Sequence, residues 1–204
     1  MSKQTELHPP RGPLDHSVRD RVVAAATEHF SHYGYEKTTV SDLAKAIGFS
    51  KAYIYKFFDS KQAIGEVICS NRLAMIMAIV DAAIADAPSA TEKLRRLFSA
   101  LTEAGSDLFF HDRRLYDIAA VASRDKWPSA EAYQARLRQL VEQIVVAGRQ
   151  AGEFERKTPL DETADAICLV MQPYICPVQL QYNLETASSA AVLLSSLILS
   201  SLAP

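Results

Sequence analysis

Apolar residues recur every three or four positions along nearly the whole chain. Val18, Val22, Ala25, Ala26, Phe30 and Tyr33 form the first series, behind Ser17 as N-cap with Asp20 three residues on. Gly34 follows, where a left-handed helix end is wanted. A second series, Val40, Leu43, Ala44 and Ile47, starts behind Thr39 with Asp42 in capping-box position and stops at Gly48. Ser50 then caps a short third helix, and Ser60 caps a long fourth one over about residues 61–87. Further helices fit about 90–110, 112–124, 129–151, 160–182 and 185–202, separated by Pro, Gly, Ser and Asn punctuation. No stretch alternates with the period of two that a strand needs. The pattern predicts an all-α chain of about nine helices.

Residues 39–59 carry the most specific local signal. Two helices joined by a three-residue turn cross steeply over a very small core. That geometry needs a small residue in the first helix, a turn residue tolerant of positive φ, and apolar residues on both inner faces. Ala44, Gly48, and the set Leu43, Ile47, Phe49, Ile54 and Phe57 meet those needs. This is a helix-turn-helix pattern. Its outer face keeps Lys51, Ala52, Tyr53, Tyr55 and Lys56. Lysines suit phosphates, and tyrosine hydroxyls bond phosphates or base edges. The alternative for the two tyrosines is packing against the fourth helix.

The stretch GYEKTTVSDLAKAIGFSKAYIYKFFDSKQAI resembles the signature of the TetR/AcrR family of transcriptional regulators. Gly34, Thr38, Thr39, Val40, Leu43, Ala44, Gly48, Ser50, Lys51, Ile54, Tyr55, Phe57, Phe58, Ser60, Lys61 and Ile64 carry it, within residues 17–66. Phe49, Ala52, Tyr53 and Asp59 depart from the usual pattern, and Tyr53, on the reading face, bears on which operator is read. The resemblance implies phosphate contacts from Thr38, Thr39, Tyr55 and Lys61, and a major-groove face of Lys51, Ala52, Tyr53 and Lys56, with Ser50 opening that helix. It implies an operator of double-stranded DNA read by a homodimer, two recognition helices about 34–36 Å apart, and an unknown small-molecule effector. Repression is the family's usual mode; a constitutive architectural DNA-binding protein is the alternative.

Composition adds bounds. The net charge is −2, with +1 over residues 1–66 and −3 beyond, so any basic footprint is local. Three widely spaced cysteines read as small hydrophobes; Cys168 and Cys176 would stand about 12 Å apart on one helix, too far for a disulfide. The run Ala190–Ala203 holds four serines and is shorter than the roughly 20 residues of a spanning helix. With no apolar leader in MSKQTELHPPRGPLDH, the expectation is a cytoplasmic protein without a membrane segment. No phosphate loop, nucleophile elbow or metal-ligand cluster is present; His29 and His32 lack a completing ligand. Catalysis, metal and cofactors are not expected.

The domains expected are a disordered arm (1–16), the DNA-binding domain (17–66) and a larger helical dimerisation and effector domain (67–204). In the last, Leu193, Leu194, Leu197 and Ile198 belong to a wide apolar stripe, suited to a dimer interface or to core. Pro173 and Pro177 predict a kink or an early helix end. Phe109, Phe110, His111, Tyr116, Trp127, Tyr133, Met171 and Tyr174 are the candidate pocket lining, with core packing as the alternative for each.

Overall fold

The computed structural model describes residues 13–204, with side chains from residue 18 onward. It contains α1 (Pro13–Tyr33), α2 (Val40–Ile47), α3 (Lys51–Ile54), α4 (Lys61–Ala85), α5 (Ala90–His111), α6 (Arg113–Arg124), α7 (Pro128–Ala151), α8 (Leu160–Ile175), α9 (Pro177–Leu180) and α10 (Leu184–Ser201). No strand occurs among the described residues. Helix α1 starts at Pro13, four residues ahead of the expected Ser17 cap, because proline's fixed φ suits a first helical position. The rest of the proposed arm, 1–12, lies outside the described residues. Nine expected helices become ten because the chain breaks at Cys176, not at Pro173. Cys176 is extended (φ −81°, ψ 123°), as the residue before a proline prefers, and Pro177 opens a new turn.

Helix α4 is the spine. Its first half gives Ile64, Ile68, Cys69 and Leu73 to a core shared with α1, α2, α3 and α6. Its second half gives Met77, Val80 and Ile84 to another core, with α5, α7, α8 and α10. By length and composition α4 and α10 are both apolar enough to cross a membrane, contrary to the expectation for α10. For α4, service to two cores accounts for that apolarity. Two inward positions shift from those expected. Tyr33 is exposed and Tyr35 buried, because α1 ends and Gly34 (φ 85°) redirects the chain. Phe58, 2% exposed, fills the place expected of Phe57, which is half-buried.

The stripe on α10 divides. Ile198 is buried and Leu194 packs against the second core, so both leave the expected interface set. Val192, Leu193 and Leu197 face outward, 60–69% exposed, and on adjoining α8 so do Leu169 and Val170.

The loop after α7 closes this domain. Gly152 ends α7 in the left-handed region (φ 76°). Glu153 then turns its carboxylate onto the start of α5, accepting from the N–H groups of Ala90 (3.1 Å) and Thr91 (2.9 Å). Ser89 accepts from Glu92 N–H at 3.1 Å, so three otherwise unpaired donors of the first turn are satisfied. The Thr91 bond chiefly, with Ala90 adding to it, holds the Glu153 carboxyl below its ordinary pKa. Its stabilisation is therefore complete above the unfolded pKa of roughly 4.3 and is lost as pH falls through the lower folded value. Glu153→Ala is expected to cost about 1–2 kcal/mol at pH 7, as a lost helix cap does. In urea titrations the gap from wild type should narrow below about pH 4; a gap independent of pH would contradict the assignment.

Candidate nucleic-acid interface and effector cavity

The reading turn is assembled by caps. At the start of α2, Asp42 N–H donates to Thr39 Oγ1 (3.2 Å) while the Asp42 carboxylate accepts from Thr39 N–H (2.9 Å) and Thr39 O–H (2.6 Å). These bonds, the hydroxyl's first, hold the Asp42 carboxyl below its usual value. Gly48 (φ 70°) closes α2, and Ser50 Oγ accepts from Tyr53 N–H at 3.1 Å to open α3. Ile54, fully buried, and Phe58 pull the turn inward. Arg19 braces it from α1, donating to Phe57 C=O at 2.9 Å with its guanidinium 4.4 Å above the Phe58 ring.

Lys51, Ala52, Tyr55 and Lys56 are left exposed together. Tyr53 is half-buried, edge-on to both Phe49 (5.0 Å) and Phe57 (5.3 Å), and the Lys56 ammonium stands 5.6 Å from its ring. These aromatic partners belong to the turn itself. Two expected phosphate contacts are engaged within the chain itself. Thr38 is 2% exposed and its hydroxyl donates to Gly34 C=O at 2.8 Å, beside His29 Nδ1. The Lys61 ammonium donates to Tyr35 C=O (2.9 Å) and Glu36 C=O (3.4 Å) and lies 4.3 Å over the Tyr35 ring. Burial lowers its pKa. Both residues fasten the loop between α1 and α2. Sequence reading passed over Arg21, exposed on α1 with its guanidinium 5.2 Å from the Phe49 ring. The arginines two apart in DHSVRDRVV were the available signal.

Behind this module lies a cavity of about 640 Å³, walled by α4 to α9. Leu73, Leu101, Leu108, Leu137, Ile175 and Leu180 make it mostly apolar. Of the eight expected lining residues, Tyr116 and Tyr133 are there, each phenol's pKa pushed up chiefly by burial. Tyr116 donates to Pro177 C=O at 2.6 Å, tying α6 to α9. The other six lie elsewhere. Phe110 and His111 are exposed, Phe109 meets Phe110 and Tyr116 edge-on, and Tyr174 packs against the cluster of Tyr116, Leu180 and Ala187. Met171 belongs to the second core and Trp127 to the first. Cys168 and Cys176 also line the cavity, as free thiols.

Comparison with known proteins fits both halves. A model described as "Bacterial regulatory proteins, tetR family" matches residues 22–67, and "Tetracyclin repressor-like, C-terminal domain" matches residues 90–192. The chain belongs to the tetR family. It is similar to the negative transcriptional regulator IcaR of the Staphylococcus aureus biofilm operon icaADBC, with 41% identity over 49 residues, 24% of this chain. That match spans 26% of the relative's length. It is also similar to the Bacillus subtilis HTH-type transcriptional regulator YdgC, 22% identical over 74% of this chain and 75% of that one. Two solved structures share the fold. FadR from Bacillus halodurans has a TM-score of 0.66 and 16% identity, covering 94% and 97% of the chains. FadR from Bacillus subtilis, in complex with stearoyl-CoA, has a TM-score of 0.66 and 17% identity, covering 90% and 98%.

In this tetR-family member the DNA-reading and cavity halves meet at the start of α7. Trp127 is its N-cap, and within the next seven residues Ala130, Glu131, Tyr133 and Gln134 line the cavity. The Trp127 ring packs edge-on against Tyr35 (5.5 Å, 69°), which meets Phe30 likewise (5.2 Å). Burial first, with Asp125, Glu66 and Glu36 adding to it, pushes the Tyr35 phenol up to about 12. Ser129 N–H donates to Glu66 of α4 at 3.1 Å. Both rings close over Gly65, where a Cβ would stand 2.9 Å from Tyr35 and 3.0 Å from Trp127.

The two lysines should therefore behave differently. Lys51→Ala is expected to weaken DNA binding and reduce its salt dependence by about one counterion, with the melting temperature unchanged. Lys61→Ala should lower the melting temperature, because it releases two carbonyls and an aromatic contact. Filter binding across a salt series, alongside thermal melts, separates them; equal loss of slope with no thermal change would return Lys61 to the DNA-contact set.

Proposed function

We propose that this regulator represses transcription as a homodimer on a palindromic operator and is released by a small molecule held in the cavity. The reading face is Lys51, Ala52, Tyr55 and Lys56, with Thr39 and Ser50 at the helix starts and Tyr53 setting sequence preference by positioning the turn. The observation that carries the reading is the shared start of α7. One helical turn both walls the cavity and grips Tyr35 through Trp127, so a ligand that tilts α7 changes the seat of the reading module. Two similarities support it: IcaR is a negative regulator by name, and FadR has been solved with stearoyl-CoA. A constitutive architectural role gives no use for a cavity of this size.

Assembly is assigned to the apolar face of Leu169, Val170, Val192, Leu193 and Leu197, on which a second copy's α8 and α10 would complete a four-helix bundle. Selection from random-sequence DNA is expected to enrich a two-fold symmetric site with half-sites about 10 base pairs apart, or a multiple of that. Leu197→Glu, placing a carboxylate near its own symmetry mate, should give a helical monomer that no longer retains that site. Sedimentation with circular dichroism reads the outcome: an unperturbed dimer removes α10 from the interface, and an asymmetric selected site removes the dimeric operator.

A further inference from the structure

The cavity's lining contains three charged residues, Glu131 and Arg138 on α7 and Asp165 on α8. They are not equally available. The Arg138 guanidinium is held by two carboxylates, Asp165 across the helix gap (2.6 Å) and Glu142 one turn along α7 (2.6 Å). Glu131 makes no ion pair and no side-chain hydrogen bond among the described residues, and it is exposed. The chain reverses between α7 and α8, so the Arg138–Asp165 pair sets their register. Seven residues back along α7, about 10 Å, stands Glu131. Seven residues forward along α8 stands Gln172, the uncharged lining residue level with it. The rim thus has a clamped end, where positive charge is already neutralised, and an open end with an unpaired carboxylate. Apolar wall lies behind both, with Tyr133 on the lining two residues from Glu131.

We infer that the cavity selects a cationic amphiphile, its apolar body among Leu101, Leu137 and Leu180 and its cation against Glu131 at the mouth. This rests on the proposed reading of the cavity as the effector site. The three lining charges sum to one negative, and Glu142 behind Arg138 adds another. An anionic head would meet that field and find Arg138 already spent on two pairs. A cation finds an unpaired carboxylate, and aromatic lining also favours it.

Three probes built on ten-carbon chains vary the head group: decyltrimethylammonium, decan-1-ol and decanoate, each titrated into the full chain by calorimetry below micelle-forming concentration. The cation should bind about fivefold tighter than the alcohol, the size of one partly screened charge contact, and decanoate weakest. Glu131→Gln should bring the cation to the level of the alcohol and leave the alcohol unchanged. Asp165→Asn, which loosens the hold on Arg138, should strengthen decanoate. Decanoate binding as tightly as the cation, or a cation unaffected by Glu131→Gln, overturns the charge selection while leaving the cavity as a ligand site. Failure of all three probes to bind overturns the effector reading itself.

Discussion

The contact of Tyr35 and Trp127 across Gly65 is the constraint on which the two halves depend. The reading turn is too short to hold its own shape; a four-residue helix has barely completed its nucleus. It is kept in place by α1, by the first half of α4, and by the loop from which Tyr35 projects. That loop is in turn seated on the indole that caps α7. A glycine on α4 is what lets both rings approach the helix backbone. Since interiors are close-packed, a displacement at such a junction is passed on and not absorbed.

Thr38 and Lys61 show how a matched motif and a realised role separate. Their residue types fit phosphate contacts, and their neighbours supply carbonyls that need donors. The hydroxyl goes to Gly34 and the ammonium to Tyr35 and Glu36. For Thr38 the bond is buried, and leaving the Gly34 carbonyl unpaired would cost more than an exposed contact with a phosphate gains. On the proposed reading, DNA is left with Lys51, Ala52, Tyr55 and Lys56, with Thr39 and Ser50 at the helix starts, presented by residues that never leave the interior.

Helix starts and ends were legible in the sequence because they depend on neighbours three or four residues away. Thr39, Ser50, Ser60 and Ser89 cap the helices they precede, and Gly34, Gly48 and Gly152 take the left-handed conformation. Phase beyond a helix end was not legible, and so Tyr33 exchanges with Tyr35 and Phe57 with Phe58. The apolar stripe of α10 was visible as a stripe, yet it is wide enough to serve two opposite faces. Sequence alone does not divide Leu193 and Leu197 from Leu194 and Ile198. The cavity was the least legible. Its walls are ordinary leucines and isoleucines, distinguished from core by what fails to reach them, while the showier aromatics Trp127 and Phe110 went to core and solvent.

The loop between α7 and α8 touches both the start of α5 and the far end of the chain, where Glu155 N–H donates to Leu202 C=O at 2.8 Å. Leu202 is buried, so α10 is pinned along its inner face and at its last turn by groups of its own subunit. For the proposed dimer, folding and pairing then become separate events: a unimolecular step that closes the second core, followed by a bimolecular step that covers only the outward leucines. Freshly synthesised chains would carry a finished reading module before meeting a partner. If two copies act together on DNA, as proposed, the supply of active regulator would scale with the square of the chain's concentration while scarce and linearly once abundant.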